Sequence, residues 1–228
     1  MVELLLPAVG IGFVVGFRHA FEPDHLAAIT TLATRERGLS RGAGLGLAWG
    51  VGHTASVAVV AAALIIMGVQ VPPRFFHAAE LTVAVLLITL GVGTLVVETR
   101  RHRRALGPPH AAAHQHRHPH AHPGVHAAPV RSTARALAFG IAHGLAGSGA
   151  VVVLLVATSS RLDTQVSYLG AFGLGTIAGM SLVSLLTGVA TGALSRQHAQ
   201  AAHWVRLTAA AASVVIGAAL GAEVLRSL

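Results

Sequence analysis

The stretch "RHAFEPDH", residues 18–25, places five ionisable side chains and a proline inside one of the most apolar segments of the chain. The run "LLLPAVGIGFVVGF" precedes it and "LAAITTLAT" follows it. A charged side chain in the bilayer core costs about 2.5–3.5 kcal/mol on insertion scales, so Arg18, Glu22 and Asp24 are improbable lipid-facing residues. We therefore expect this segment to face protein, water or an ion.

Pro23 predicts a break in the first helix. A proline cannot donate to the carbonyl four residues back, here that of His19, and the residue before a proline, Glu22, is biased away from helix. On a straight helix at about 100° per residue, His19, Asp24 and His25 would point in separate directions. The sequence thus predicts a break near Pro23 that leaves main-chain oxygens beside the imidazoles and the carboxylate.

The composition predicts an all-α polytopic membrane protein. The 228 residues are 54% hydrophobic with a mean hydropathy of +0.69, and only 11% are charged, against about 25% in soluble domains. The net charge of +8 is carried by arginine without any lysine. These arginines are scattered between apolar spans and form no basic stripe with aromatics, which argues against nucleic-acid binding. The absence of cysteine rules out thiolate metal sites within this sequence.

The apolar runs predict six transmembrane helices, each near the roughly 20 residues that a bilayer core requires. The predicted spans are 4–33, 43–69, 76–98, 133–158, 166–194 and 205–225. Twelve arginines lie on one side of this topology and three on the other, with Arg18 inside a span. By the positive-inside rule, both termini are outside a bacterial cytoplasmic membrane and the long loop after the third span is cytoplasmic.

The two halves of the chain resemble each other. The segment "AWGVGHTASV" (48–57) matches "AFGLGTIAGM" (171–180), and "GFRHAFEPDH" (16–25) matches "FGIAHGLAGSG" (139–149) around His19 and His143. Three spans per half is an odd number, so the second half enters the membrane in the opposite sense. This predicts a 3+3 inverted repeat, a plan of secondary transporters with substrate sites near the bilayer midplane.

Three regions follow from this division: a first three-helix repeat over 1–99, a loop over 100–132 and a second repeat over 133–228. The loop contains "HAAAHQHRHPHAHPGVH" (110–126), which holds seven of the fifteen histidines. Proline and alanine separate these histidines without an apolar period, which predicts disorder. Clustered imidazoles also bind transition metals weakly, and the two interpretations are compatible.

The intramembrane histidines predict a metal site. His53 in "VGHTAS" and His143 in "IAHGLAGSG" join His19, Asp24 and His25 as candidate ligands. A single intramembrane histidine more often makes a hydrogen bond between helices, but four of them with an aspartate favour metal binding. Imidazole nitrogens with one carboxylate suit Ni²⁺, Co²⁺, Zn²⁺ or Cu²⁺, whereas Mg²⁺ and Ca²⁺ prefer oxygen ligands.

The motif H-x4-D-H, residues 19–25, resembles the signature of the nickel/cobalt transporter family. The segment "RHAFEPDHLAAI" is most similar to the branch of UreH-type urease accessory proteins. The resemblance implies that His19, Asp24 and His25 select the metal, and that His53 belongs to a second family motif. The better-known permeases of the family have eight spans, and they usually carry Asp-Ala where this chain has Glu22 and Pro23.

These observations predict secondary transport of Ni²⁺, with Co²⁺ as a second substrate, without a resident cofactor or catalytic residues. The chain has no phosphate-binding G-x4-G-K-[ST] motif. Two alternatives stay open: an intramembrane zinc-dependent hydrolase, and a nontransporting metal donor for urease or hydrogenase assembly. The expected partners are a divalent metal ion, membrane lipid and urease or hydrogenase maturation proteins. The sequence leaves the oligomeric state open.

Overall fold

The computed structural model describes residues 2–34, 39–67, 72–105, 133–146 and 161–227, and all regular structure in these ranges is helical. We number the seven described helices in chain order. They are α1 (Val2–His19), α2 (Pro23–Ala33), α3 (Leu39–Met67), α4 (Pro73–Ala105), α5 (133–146), α6 (Leu162–Gln197) and α7 (Ala199–Ser227). The prediction of an all-α protein is confirmed. The predicted disordered segment 110–126 lies outside the described residues.

Four helices are long and apolar enough to cross a membrane: Ser40–Ile66, Arg74–Arg103, Leu162–Arg196 and Ala199–Ser227. The bent pair Leu5–His19 and Pro23–Ala33 counts as a fifth candidate span. Of the predicted span 133–158, only 133–146 is described. The described part of the chain therefore supports a multi-pass membrane protein with four or five spans.

The predicted break near Pro23 is confirmed, because α1 and α2 meet at an angle of 60°. Glu22 adopts an extended conformation (φ −61°, ψ 147°) and caps α2, whose first residue is Pro23. Proline fits this first position, where its missing N–H is not needed. The prediction of a free carbonyl at His19 is wrong, because this carbonyl accepts a hydrogen bond from the N–H of Glu22 at 3.1 Å. A tight turn therefore recovers the bond that the proline removes.

The helices pack so closely that glycine is required where α1 crosses α6 and where α5 crosses α3. A Cβ on Gly16 of α1 would collide with the carbonyl of Phe172 on α6. In the same way, a Cβ on Gly140 of α5 would collide with the carbonyl of Trp49 on α3. Small residues allow such close approach, and packing of this kind is what holds helices together in lipid. Both crossings lie one turn from a candidate ligand, because His19 and His143 follow these glycines by three residues.

Hydroxyl groups join the helices across their packed faces. Ser184 donates to the carbonyl of Gly42 at 2.6 Å, and Ser213 donates to the carbonyl of Leu87 at 2.9 Å. Thr31 links α2 to α7 through the carbonyl of Ala209 at 3.1 Å. Such bonds contribute about 0.6 kcal/mol each on average in membrane proteins. They connect α6 with α3, α7 with α4 and α2 with α7, and α2 carries two of the candidate ligands.

Candidate metal site

Four histidine rings from four helices form one buried cluster. His19 is the last residue of α1, His25 lies in the first turn of α2, His53 is in α3 and His143 is in α5. Each residue is at most 5% exposed. The break near Pro23 is what allows His19 and His25 to converge, with ring centroids 4.5 Å apart. The helix interruption predicted from sequence thus has a direct geometric consequence at the site.

The rings of His19 and His53 meet through their outer nitrogens. The Nε2 atoms of the two residues are 3.2 Å apart, and both rings lie within about 5 Å of His25 by their centroids. The centroid of His143 is 4.1 Å from that of His25 and 6.2 Å from that of His53. His25 therefore lies at the centre of the cluster, in contact with each of the other rings.

The two carboxylate oxygens of Asp24 hold two of these histidines. Oδ1 lies 3.1 Å from Nδ1 of His25, and Oδ2 lies 2.9 Å from Nε2 of His143. The Asp24 side chain is 28% exposed, so the carboxylate lies between the buried rings and the outside of the helix bundle. A carboxylate in this position orients the imidazoles and offers an anionic ligand to a divalent cation.

Two groups of three residues could each hold a metal ion. One consists of His19, His25 and His53, and the other of Asp24, His25 and His143; within each group the ligand atoms lie within 4.8 Å of one another. The groups share His25. Two buried nitrogens in the cluster, Nε2 of His25 and Nδ1 of His53, have no hydrogen-bond partner. Burying a polar atom without a partner is costly, and a bound cation would satisfy it.

Glu22 extends the site toward the surface of the helix bundle. Its Oε2 atom lies 3.0 Å from Nδ1 of His19, and its side chain is 53% exposed. With Nδ1 engaged by the carboxylate, Nε2 of His19 is the nitrogen directed at His53. Glu22 was identified from the sequence as an ionisable group in an apolar segment, but its contact with His19 was not predicted. Its separation of three residues from His19 was the available signal.

Two aromatic side chains wall the cluster. The ring centroid of Phe172 on α6 is 5.5 Å from that of His19, and that of Trp49 on α3 is 5.6 Å from that of His143. Both aromatics are 1% exposed. They exclude water from the inner side of the site, which leaves the acidic side as the more open one. Neither residue was singled out from the sequence, because nothing in the chain order places them beside the histidines.

The arrangement is suited to borderline divalent cations. It offers a carboxylate and imidazole nitrogens that are close enough to share one ion. Neither of the two described groups contains a sulfur ligand. Ni²⁺, Co²⁺ and Zn²⁺ accept such ligands, whereas the donor set is poor in the oxygens that Mg²⁺ and Ca²⁺ require. All five residues predicted from the sequence are brought together by the fold.

Comparison with known proteins agrees with a site for a transition metal. The family described as "NicO: High-affinity nickel-transport protein" matches residues 5–228. A curated relative, "Urease accessory protein UreH" of Bacillus sp. (strain TB-90), is 28% identical over 185 residues, which cover 81% of this chain and 78% of that protein. No solved structure matches the chain. The range matched by the family model spans the positions of all five candidate ligands.

Proposed function

The chain belongs to the NicO family of high-affinity nickel-transport proteins, and we propose that it is a secondary transporter that carries Ni²⁺ across a bacterial cytoplasmic membrane. The family is one of transporters, so the chain is not the hydrolase that the same ligands would permit. The observation that carries the proposal is the pair of overlapping ligand groups that share His25. The ion is the substrate of this site, and we propose no resident cofactor.

The shared histidine suggests how the ion moves. An ion held by Asp24, His25 and His143 lies on the more exposed side, because Asp24 is the most accessible of the five ligands. An ion held by His19, His25 and His53 is surrounded by residues that are at most 5% exposed. Since His25 takes part in both groups, one ion can pass between them without losing all of its protein ligands. Both groups would lie near the midplane, as sites in repeat-built transporters do.

We propose Ni²⁺ as the preferred substrate of the transporter and Co²⁺ as its second substrate. Nitrogen-rich sites bind Ni²⁺ more tightly than Co²⁺ in the general order of divalent affinities. The same order places Cu²⁺ above nickel, so the donor set alone does not decide between them. Family membership supports nickel. Competition between Ni²⁺, Co²⁺ and Zn²⁺ for uptake would rank the three directly.

We also propose that the two halves form a 3+3 inverted repeat with six spans. The sequence alignment pairs Gly16 with Gly140, and it pairs Phe172 with Trp49. In the structure, Gly16 packs on the carbonyl of Phe172, and Gly140 packs on the carbonyl of Trp49. Each of these contacts joins one half of the chain to the other, and exchanging equivalent residues converts one contact into the other, as a two-fold relationship requires.

A second pair of contacts supports the same relationship. Three residues before the paired glycines lie Phe13 and Leu137, and three residues after the paired aromatics lie Gly175 and Gly52. Gly175 packs on the carbonyl of Phe13, and Gly52 packs on the carbonyl of Leu137. The crossing of α1 over α6 therefore has the same register as the crossing of α5 over α3.

The aromatic walls of the site follow this pattern as well. His19 and His143 occupy equivalent positions, and their rings lie 5.5 and 5.6 Å from the equivalent aromatics Phe172 and Trp49. The ligands themselves are less symmetric, because Ser148 and Gly149 stand where the first half has Asp24 and His25. We infer that the repeat builds the frame of the site and that the first half supplies most of its chemistry.

The charge distribution supports one orientation. Both termini would face outward, and the His-rich segment 110–126 would lie in the cytoplasm, where it could buffer arriving metal. The chain lacks cysteine, so single cysteines introduced at position 2 and within 110–126 would report their exposure to an impermeant maleimide in intact cells. Labelling of residue 2 alone supports the orientation, and labelling of the loop alone contradicts it.

The relative named as a urease accessory protein suggests a destination for the metal. We propose that transported nickel supplies enzyme assembly, with urease or hydrogenase maturation proteins as its recipients. The alternative is a metal donor that binds nickel without transporting it. The two differ in a simple property, because only a transporter moves nickel across a membrane that contains no other protein.

Uptake of Ni²⁺ by liposomes that contain the purified full-length chain tests the proposal. We expect uptake that saturates with external Ni²⁺, that Co²⁺ inhibits, and that His25→Ala abolishes. His77→Ala, on α4 and outside both ligand groups, is the matched control and should transport normally. Binding of Ni²⁺ without any uptake, under every ion gradient imposed, would support the donor and contradict transport.

A further inference from the structure

A second cluster of charged side chains lies away from the histidine site, near the end of α4. The Glu98 carboxylate is buried, with the residue 2% exposed. Its Oε1 atom lies 3.3 Å from the guanidinium of Arg101, one turn farther along α4. On α7, Nδ1 of His203 and Nε of Arg206 lie 3.2 and 3.1 Å from Oε2. Both carboxylate oxygens are therefore occupied by protein donors.

An open groove of about 750 Å³ lies over this cluster, between the last turns of α4 and the first turns of α7. Polar side chains line it, including Arg101, His102, Arg103, Gln200 and Arg206. The rings of His102 and His203 stack across the groove with centroids 5.2 Å apart and planes 16° from parallel. The two helices thus present donors from both walls to whatever occupies the space between them.

The groove is electropositive. Three arginines line it against one acidic residue, Glu98, and the Glu98 side chain is only 3% exposed. Arg101 is 70% exposed, so most of its five donors stay available after its contact with Glu98. A cation would be repelled here, even though a carboxylate and two imidazoles are nearby. An anion would find several guanidinium donors, which match the geometry of a phosphate group.

The location of the groove indicates the source of that anion. It lies at the polar end of two helices that are apolar enough to cross a membrane. Beside it, Trp204 is 58% exposed, and exposed tryptophan is typical of the headgroup region. The neighbouring faces of α4 and α7 present Val97 and Val205 on the outside. A headgroup in the groove would therefore leave its acyl chains against an apolar surface.

We propose that this groove binds the phosphate-bearing headgroup of an anionic membrane phospholipid. The arginines on the rim, Arg101 and Arg103, contact the phosphate, and the buried contacts of Glu98 hold α4 and α7 at the spacing that the headgroup needs. Basic pockets between transmembrane helices are known to take such headgroups. The groove is separate from the metal site and shares none of its residues.

The test is the thermal stability of the purified full-length chain in a neutral detergent, titrated with phosphatidylglycerol or with phosphatidylcholine. A ligand that binds the folded state raises the midpoint of unfolding with its concentration. We expect phosphatidylglycerol to stabilise the protein saturably and phosphatidylcholine to have no comparable effect. Each basic residue near an anionic headgroup contributes about fivefold in affinity. The apparent affinity should therefore fall about 25-fold in the double variant R101Q/R103Q and about fivefold in R103Q.

The single variant R103Q leaves every contact of Glu98 intact, so it tests the site even if the double variant is unstable. Arg74→Gln, an exposed arginine at the opposite end of α4, is the matched control and should keep the parent affinity. Stabilisation by phosphatidylglycerol that survives in R103Q and R101Q/R103Q would overturn the proposal. Full stabilisation by inorganic phosphate alone, with no further effect of the lipid, would overturn the lipid as the source of the anion.

Discussion

Nε2 of His143 lies 2.9 Å from Oδ2 of Asp24, and this contact joins α5 to the first turn of α2 across 119 residues of sequence. Asp24 is at the same time 3.1 Å from its neighbour His25. One carboxylate thus connects a histidine from each half of the chain. The ligand group that contains Asp24 exists only when the two halves have packed together, so the proposed metal site at this position depends on the tertiary fold.

We predict that His19→Ala, Asp24→Ala and His25→Ala each abolish Ni²⁺ transport in correctly inserted protein. Each substitution removes a ligand from at least one of the two groups, and on the proposed path the ion passes through both groups. Uptake by liposomes measures the loss, with membrane insertion checked by protease protection. Transport near the parent level in all three variants would contradict the assignment of the site.

Equilibrium binding should separate the two groups. His19→Ala leaves the group of Asp24, His25 and His143 intact, so we expect it to retain one bound Ni²⁺ although it no longer transports. His25→Ala removes the shared ligand, and we expect it to lose measurable binding altogether. Equilibrium dialysis provides the comparison, with both substitutions made in a chain that lacks 110–126, because the clustered imidazoles of that segment would bind Ni²⁺ by themselves. Equal retention of binding by the two variants would contradict the role of His25 as a ligand of both groups.

Glu22 should act through His19. Its carboxylate lies 3.0 Å from Nδ1 of that ring, and partners of this kind orient a ligating imidazole and raise its basicity. We predict that Glu22→Gln weakens apparent Ni²⁺ affinity about 10- to 100-fold, the usual effect of losing such a partner. The exposed Glu223→Gln on α7 serves as the matched control. Unchanged affinity in Glu22→Gln would mean that the contact does not position the ring.

The local features of the site could be predicted from the sequence. Charged side chains are costly in the bilayer core, and a proline interrupts a helix. These two costs predicted the break at Pro23 and the convergence of His19, Asp24 and His25. His53 and His143 were predicted because polar residues in spans have to face protein. The hydrogen bonding of the His19 carbonyl was predicted incorrectly. This carbonyl accepts from the N–H of Glu22 in a tight turn, and the prediction considered only the hydrogen bonds of a regular helix.

The features that were not predicted depend on packing between distant helices. Trp49 and Phe172 have no polar signal, and only the crossings of α3 and α6 with their neighbours place them beside the rings. The Glu98 cluster was also missed, although one acidic residue in the run "LGVGTLVVETRR" (90–101) was a visible signal. Its partners on α7 lie about a hundred residues away, and no spacing in the sequence connects them.

Removal of the His-rich segment should leave transport detectable. The five proposed ligands lie outside 110–126, so we predict that a chain lacking these residues still takes up Ni²⁺. Because clustered imidazoles bind transition metals, the deletion should change apparent affinity or the response to excess metal. Uptake measured over a range of Ni²⁺ concentrations tests both statements. Complete loss of transport in inserted protein would place the segment on the transport path.

The paired glycine crossings should be equally intolerant of a methyl group. Gly16→Ala and Gly140→Ala each introduce a Cβ that collides with a backbone carbonyl, on Phe172 and Trp49 respectively. Backbone atoms cannot move aside as a flexible side chain can. We therefore expect each substitution to destabilise the protein by about 1–3 kcal/mol, the usual cost of overpacking. Because His19 and His143 each follow these glycines by one turn, Ni²⁺ uptake should fall as well.

Gly93→Ala is the matched control for these two variants, because a Cβ at Gly93 on α4 meets nothing within 4 Å. Alanine is the better helix former by about 1 kcal/mol, so this substitution should be neutral or stabilising. Thermal unfolding in detergent ranks the three variants, and liposome uptake follows function. If the halves are related by the proposed two-fold axis, the losses in Gly16→Ala and Gly140→Ala should be similar in size. A large loss in one variant with no loss in the other would contradict the equivalence of the two crossings.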